Sequence, residues 1–170
     1  MTYFLGIDPG KQGGLSVVDI SGKLLLTEVM PNEGTDISPH ELWNLVGRIK
    51  GEFPEVRCWC ERVNSRPGSS GKAMFTFGKG FGYLVMVLVG HKIPFQLVPP
   101  STWSKEMHRG IGQQFTDTKS RSLAMSRRLW PDETWLRGSR TRIPHDGMYE
   151  SALIAEYGRR KEVSMQSSPD

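Results

Sequence analysis

An α/β fold built on one mixed sheet is predicted by three features of this 170-residue chain. Its first residues hold a strand-like apolar run that stops at a carboxylate. Two further strand-length segments joined by a tight turn signal follow, and helix-period segments then alternate with strands to the C-terminus. The opening run, Tyr3-Phe4-Leu5-Gly6-Ile7, is short and continuously apolar, the pattern of a strand buried on both faces. It ends at Asp8 because Pro9 and Gly10 cannot continue the ladder.

Gly13 to Ile20 and Lys23 to Met30 read as the second and third strands, joined at Ser21-Gly22 as a hairpin, so the first three strands form an antiparallel meander. Pro31 to Asp36 reads as a loop. Ser38, Pro39 and Glu41 announce a helix start by cap, first-turn proline and capping box, and Leu42, Leu45, Val46 and Ile49 carry the helical period to about Gly51. Val56 to Val63 is a fourth strand with Glu61 near its end, and Asn64 to Gly71 is a Gly/Ser/Pro loop. Ala73 to Val89 is expected as a largely buried helix, with Phe75 and Phe77 in the core.

Pro94 to Val98 is a fifth strand. Ser101 caps a short helix to His108, Asp117 caps another to about Leu129 with Leu123, Ala124 and Leu129 inward, and Asp132 to Pro144 is irregular. A last helix runs from about Asp146 to Arg160 and buries Ala152, Leu153, Ile154 and Ala155. These elements make one domain over residues 1–161, with residues 162–170 as a flexible tail.

The formal net charge of +4 and pI of about 9.2 favour an acidic partner, nucleic acid above all. The only cysteines, Cys58 and Cys60, are too close along one strand to form a disulfide and read as buried thiols in a reducing compartment. The start of the chain has no signal-type composition, and the most lipid-like run, Tyr83 to Val89, is short, so a soluble cytoplasmic protein without a membrane partner is expected.

Four acids stand out. Asp8 ends the first strand, Glu61 lies near the end of the fourth, and Asp146 and Glu150 are spaced i, i+4, about 40° apart on one helical face. A helix start favours acids on its own account. Clustered carboxylates, however, raise one another's pKa unless divalent cations neutralise them, and hard oxygen donors at this density suit Mg²⁺ or Mn²⁺.

Gly6-Ile7-Asp8-Pro9-Gly10 with Gly13-Gly14, Cys60-Glu61-Arg62-Val63, and the stretch from His145 to Ala155 together resemble the RuvC family of Holliday junction resolvases, in the RNase H-like superfamily. The order fits from Tyr3 to about Arg160. The Asp-Gly-x-x-Glu-x-Ala-Leu form of the last helix is similar to phage-type and chloroplast-type members. The resemblance implies an RNase H-like mixed five-stranded sheet flanked by helices. It also implies a homodimeric endonuclease that resolves four-way junction DNA by paired symmetric cuts, using two Mg²⁺ ions per site with Mn²⁺ able to substitute. Asp8 would bridge the ions, Glu61 and Glu150 would partner them, Asp146 would ligate or position water, and His145 is a candidate for proton transfer.

From Ser101 to Arg142 nine Lys/Arg face four acids, a local excess of 9 − 4 = +5. Beside a phosphate-cutting site such a face would hold backbone phosphates. The resemblance assigns that role to Lys105 and Lys119, and Arg62, Arg66, Lys72 and Arg121 are further candidates. Other RNase H-like nucleases, acting on flaps or RNA·DNA hybrids, share the acidic pattern. An actin-like or sugar-kinase phosphate loop also opens with an Asp-x-Gly after its first strand, although this chain has no room for that fold's two halves.

Overall fold

The computed structural model describes residues 1–62, 68, 70–112 and 114–166. Expectations resting on Val63, Asn64, Arg66 and residues 167–170 lie outside these. The sheet forms as the hydrophobic pattern requires. Strands β1 (Tyr3–Asp8), β2 (Gly14–Asp19) and β3 (Leu24–Val29) make the antiparallel meander. The turn between β2 and β3 is held by Asp19, whose carboxylate accepts from the Ser21 and Lys23 amides at 2.9 and 3.0 Å. Two short strands, β4 (Asn32–Glu33) and β5 (Asp36–Ile37), pair as a separate hairpin where only a loop was expected, because two-residue strands have no periodicity to read.

Helix α1 (Pro39–Glu52) starts on Pro39 as expected, but the Ser38–Glu41 capping box does not form. Ser38 is buried, and its amide donates to the Pro31 carbonyl instead. Strands β6 (Val56–Glu61) and β7 (Phe95–Val98) then add in parallel, giving the order β3-β2-β1-β6-β7.

Helix α2 (Gly71–Gly90) lies between them, capped by the Ser70 hydroxyl on the Ala73 amide at 3.2 Å. Its continuous 20 residues are long and apolar enough to cross a membrane by length and composition, which the shorter run identified in the sequence does not reveal. Nor is it largely buried. Gly80, Leu84, Val87 and Leu88 face inward, Phe77 is half-buried, and Phe75 (73% exposed), Met86 and Val89 face outward. An all-round apolar helix does not announce which face the sheet will cover.

Helix α3 (Pro100–Met107) starts after Pro99, so Ser101 sits within it and caps nothing. Helix α4 (Thr118–Leu129) has the expected Asp117 cap, with the Ser120 amide at 2.9 Å. Its most buried positions are Ser122, Met125 and Ser126, one step round from the expected Leu123, Ala124 and Leu129, which are half-buried. Helix α5 (Asp146–Gln166) continues through residues expected as tail, where Arg57 pairs with Glu162.

Helices cover both faces. Leu5, Ile7, Cys58 and Cys60 pack with α1 and α2 on one, and both cysteines are buried free thiols. Phe4 and Trp59 pack with α3, α4 and α5 on the other. The irregular stretch before α5 is anchored by Trp135, 1% exposed, edge-on to Trp130 and Tyr149.

Two glycines let α5 lie directly on the sheet. A β-carbon at Gly6 would meet the Ser151 carbonyl oxygen at 2.0 Å and the Ala155 amide at 2.3 Å, and one at Gly147 would meet the Gly13 backbone at 2.3 Å. At 2.7 Å, the Ser16 and Ser151 hydroxyls bond across the same contact. The start of α5 is thereby pinned to the end of β1.

Candidate active site

The alternation of a strand decides where two of the acids point. In β1, Leu5 and Ile7 face α1 and α2, so Phe4, Gly6 and Asp8 face α5. In β6, Val56, Cys58 and Cys60 take the first face, so Trp59 and Glu61 take the second. The parallel register pairs Ile7 with Cys60, which brings Asp8 and Glu61 side by side one residue further on. Asp146 opens α5, and Glu150 lies one turn along it.

The electrostatics report this convergence. Burial pushes the Asp8 carboxyl well above its usual range, and Glu150, Glu61 and Asp146, in that order, push it further. Glu150 is raised to about 7 by burial and then by Glu61 and Asp146, with Lys119 and the polar Ser122 hydroxyl pulling the other way. At Asp146 burial also opposes ionisation, but the bond from the Lys119 ammonium and the Gly147 amide outweigh it and hold the carboxyl low. Lys119 Nζ pairs with Asp146 Oδ2, which raises the lysine's own pKa. Four carboxylates thus share one field, with a single ammonium offsetting it at Asp8, Asp146 and Glu150.

The donor set fits hard divalent cations: oxygen donors only, at the mouth of an apolar core, with repulsion that a cation relieves. Among the described residues no three His, Cys, Asp or Glu side chains stand close enough to clasp an ion as they are placed, and Asp146 turns to Lys119.

Of the other candidates, Lys119 joins the cluster. Arg121 donates through Nε to the Phe115 carbonyl at 2.8 Å and borders His108. Lys105 and Arg62 are exposed. Lys72 lines a cleft of about 400 Å³ beside Gly10, with Lys11, Ser70 and Phe77, between the start of α2 and β5. His145 is half-buried, donates its amide to the Trp135 carbonyl at 2.7 Å, and has its pKa lowered by burial.

Two contacts at the site have no signal in the sequence. Trp103 Nε1 donates to Glu61 Oε2 at 2.8 Å, and beside it His108 Nε2 lies 3.0 Å from the Ser122 hydroxyl. A tryptophan in an amphipathic helix reads as core, and Trp103 is indeed 2% exposed.

The raised carboxyl of Glu150 makes the metal-free protein pH-sensitive. In the unfolded chain this group loses its proton near 4.5, in the folded chain near 7. Between those values the unfolded state holds fewer protons, so stability is full below the lower pKa and falls as pH rises through the upper one. Glu150 alone accounts for about 3 kcal/mol, and Asp8 acts in the same direction. Thermal melts in EDTA should therefore show a higher midpoint at pH 5 than at pH 8, and saturating Mg²⁺ should narrow the gap. Equal midpoints in EDTA would contradict the buried, mutually repelling acids.

No family profile and no curated protein sequence matches this chain. Solved structures do. Thermus thermophilus RuvC in complex with a Holliday junction substrate superposes with a TM-score of 0.66 at 16% identity, covering 95% of this chain and 96% of that one. A second structure of T. thermophilus RuvC gives 0.63 at 19% identity, covering 94% and 96%. The yeast mitochondrial Holliday junction resolvase Ydc2 gives 0.60 at 19% identity, covering 95% and 79%. The five-stranded mixed sheet with helices on both faces is the RNase H-like fold in the form that RuvC has.

Proposed function

We propose that this chain is a metal-dependent endonuclease that resolves four-way DNA junctions by cutting two opposed strands. The observation that carries the reading is the shared field of Asp8, Glu61, Asp146 and Glu150, gathered at the ends of β1 and β6 and the start of α5. The likeness in fold to a RuvC bound to a junction supports the substrate.

In this reading Asp8, Glu61 and Glu150 would hold two Mg²⁺ ions, Asp8 serving both, and Asp146 would join them once parted from Lys119. Bound there, the ions would supply a water of lowered pKa and stabilise the leaving 3′ oxygen of an in-line displacement. The chain's own residues do the rest. The apolar floor of Phe4, Val98 and Met148 excludes water beneath the carboxylates. Lys119, which stands against the cluster, would contact the phosphate that the ions hold. Lys105, Arg62, Arg66, Lys72 and Arg121 hold flanking phosphates, so affinity falls steeply with salt. His145, neutral at physiological pH, is available to accept a proton at a ring nitrogen.

Labelled four-way junction, flap, RNA·DNA hybrid and plain duplex, each with Mg²⁺, test the proposal. Selective, symmetric cleavage of the junction is expected. Preference for the flap or the hybrid would give the site to another RNase H-like activity.

Paired cuts need paired sites, which a twofold dimer supplies on a twofold junction. The outward face of α2, with Phe75, Met86 and Val89 exposed, suits a second copy of this chain. Sedimentation at micromolar concentration should give a dimer, and Met86→Glu should shift it to monomer. A wild-type monomer with and without junction DNA would contradict this.

A further inference from the structure

Helix α3 reaches the acidic cluster from behind, with a donor aimed at one of its carboxylates. Trp103 is buried in α3 beside Met107 and Met125, yet its one polar atom meets Glu61 Oε2 at 2.8 Å. The His108 ring stands edge-on to the indole at 6.1 Å, and its Nε2 lies 3.0 Å from the hydroxyl of Ser122, fully buried in α4. The His108–Ser122 pair thereby braces the indole, and the indole fixes one carboxylate oxygen of Glu61.

We propose that Trp103 is a positioning residue, braced by the His108–Ser122 pair, which holds Glu61 in the orientation that receives divalent cations. The proposal rests on the reading of this glutamate as a metal ligand. Long flexible carboxylates lose side-chain freedom on ligating a metal, and a donor that fixes them beforehand removes part of that cost. Partners of this kind are worth typically 10- to 100-fold in metal affinity.

The test uses the full chain without DNA, titrated with Mn²⁺ and read by the electron paramagnetic resonance of the free ion. Trp103→Phe keeps a ring and loses the donor; Ser122→Ala loses the hydroxyl, and Ser122→Thr keeps it. Trp103→Phe should weaken Mn²⁺ binding about tenfold or more, and Ser122→Ala, which loosens the His108 ring behind the indole, should weaken it less, with Ser122→Thr restoring much of that loss. In junction cleavage the half-saturating metal concentration should rise by the same factor, with a far smaller loss at saturating metal. Thermal midpoints accompany each variant, and Trp103→Phe carries the test alone if Ser122→Ala does not fold. Asp8→Asn is the reference. If it has lost Mn²⁺ binding while Trp103→Phe and Ser122→Ala bind as wild type, the positioning role is overturned and the metal site stands. If Asp8→Asn itself binds Mn²⁺ as wild type, the metal reading fails and the proposal fails with it.

Discussion

Replacing Asp8 by Asn is expected to abolish Mg²⁺-dependent junction cleavage while leaving the fold and junction binding intact. The change is isosteric, so the packing at the end of β1 is kept. It removes the carboxylate that feels all three of the others. Metal-ion catalysis supplies several kcal/mol of charge stabilisation, so losing the bridging ligand should cost ~4 kcal/mol, roughly a thousandfold in rate. The metal-free variant should also be more stable at pH 8 than wild type, because a repelling buried charge is gone. Single-turnover cleavage, binding by gel shift in Ca²⁺, and thermal melts in EDTA check the three parts. Cleavage near the wild-type rate would remove Asp8 from the mechanism.

Gly6→Ala should be strongly destabilising and should also disturb the site. The new carbon would stand 2.0 Å from the Ser151 carbonyl oxygen and 2.3 Å from the Ala155 amide, both backbone atoms of a helix that cannot yield locally. The helix must lift from β1 as a body, parting the Ser16–Ser151 bond and carrying Glu150 and Asp146 away from Asp8. Overpacking typically costs 1–3 kcal/mol, and this contact should reach ~3 kcal/mol or more, a fall in midpoint of about 10 °C for a domain of this size. Cleavage should fall even at temperatures where the variant is folded. A variant of wild-type stability would mean that α5 does not lie against β1 as described.

These two substitutions also divide what the sequence shows from what it hides. Asp8 is legible because a buried strand announces itself by apolar continuity and Pro9-Gly10 ends it abruptly. Asp146 and Glu150 are legible because helical spacing is local. Alternation along β1 and β6 even carries the information that Asp8 and Glu61 share a face, although only the register between the strands makes them neighbours. Gly6 shows no such signal. A glycine inside a strand is compatible with a bulge, a bend or a close approach, and the helix that approaches lies some 145 residues away in the chain.

Trp103, Ser122 and His108 are hidden too, since side-chain hydrogen bonds between elements leave no period in a sequence. Phe75 reads as core but stands exposed on the outer face of α2, because apolar character alone does not say whether the cover is the chain itself or another copy. Residues 162–166 continue α5 where a tail is expected, and the Arg57–Glu162 pair comes from a strand over a hundred residues earlier, which no local pattern reveals.

The central claim is that folding gathers Asp8, Glu61, Asp146 and Glu150 into a seat for divalent ions. Diffraction from crystals soaked in Mn²⁺, read by its anomalous signal, tests it most directly. The account predicts peaks about 2.1 Å from carboxylate oxygens of Asp8, Glu61 and Glu150, with Lys119 turned away from Asp146. Saturating Mn²⁺ that leaves these carboxylates bare, with Lys119 still on Asp146, would contradict it.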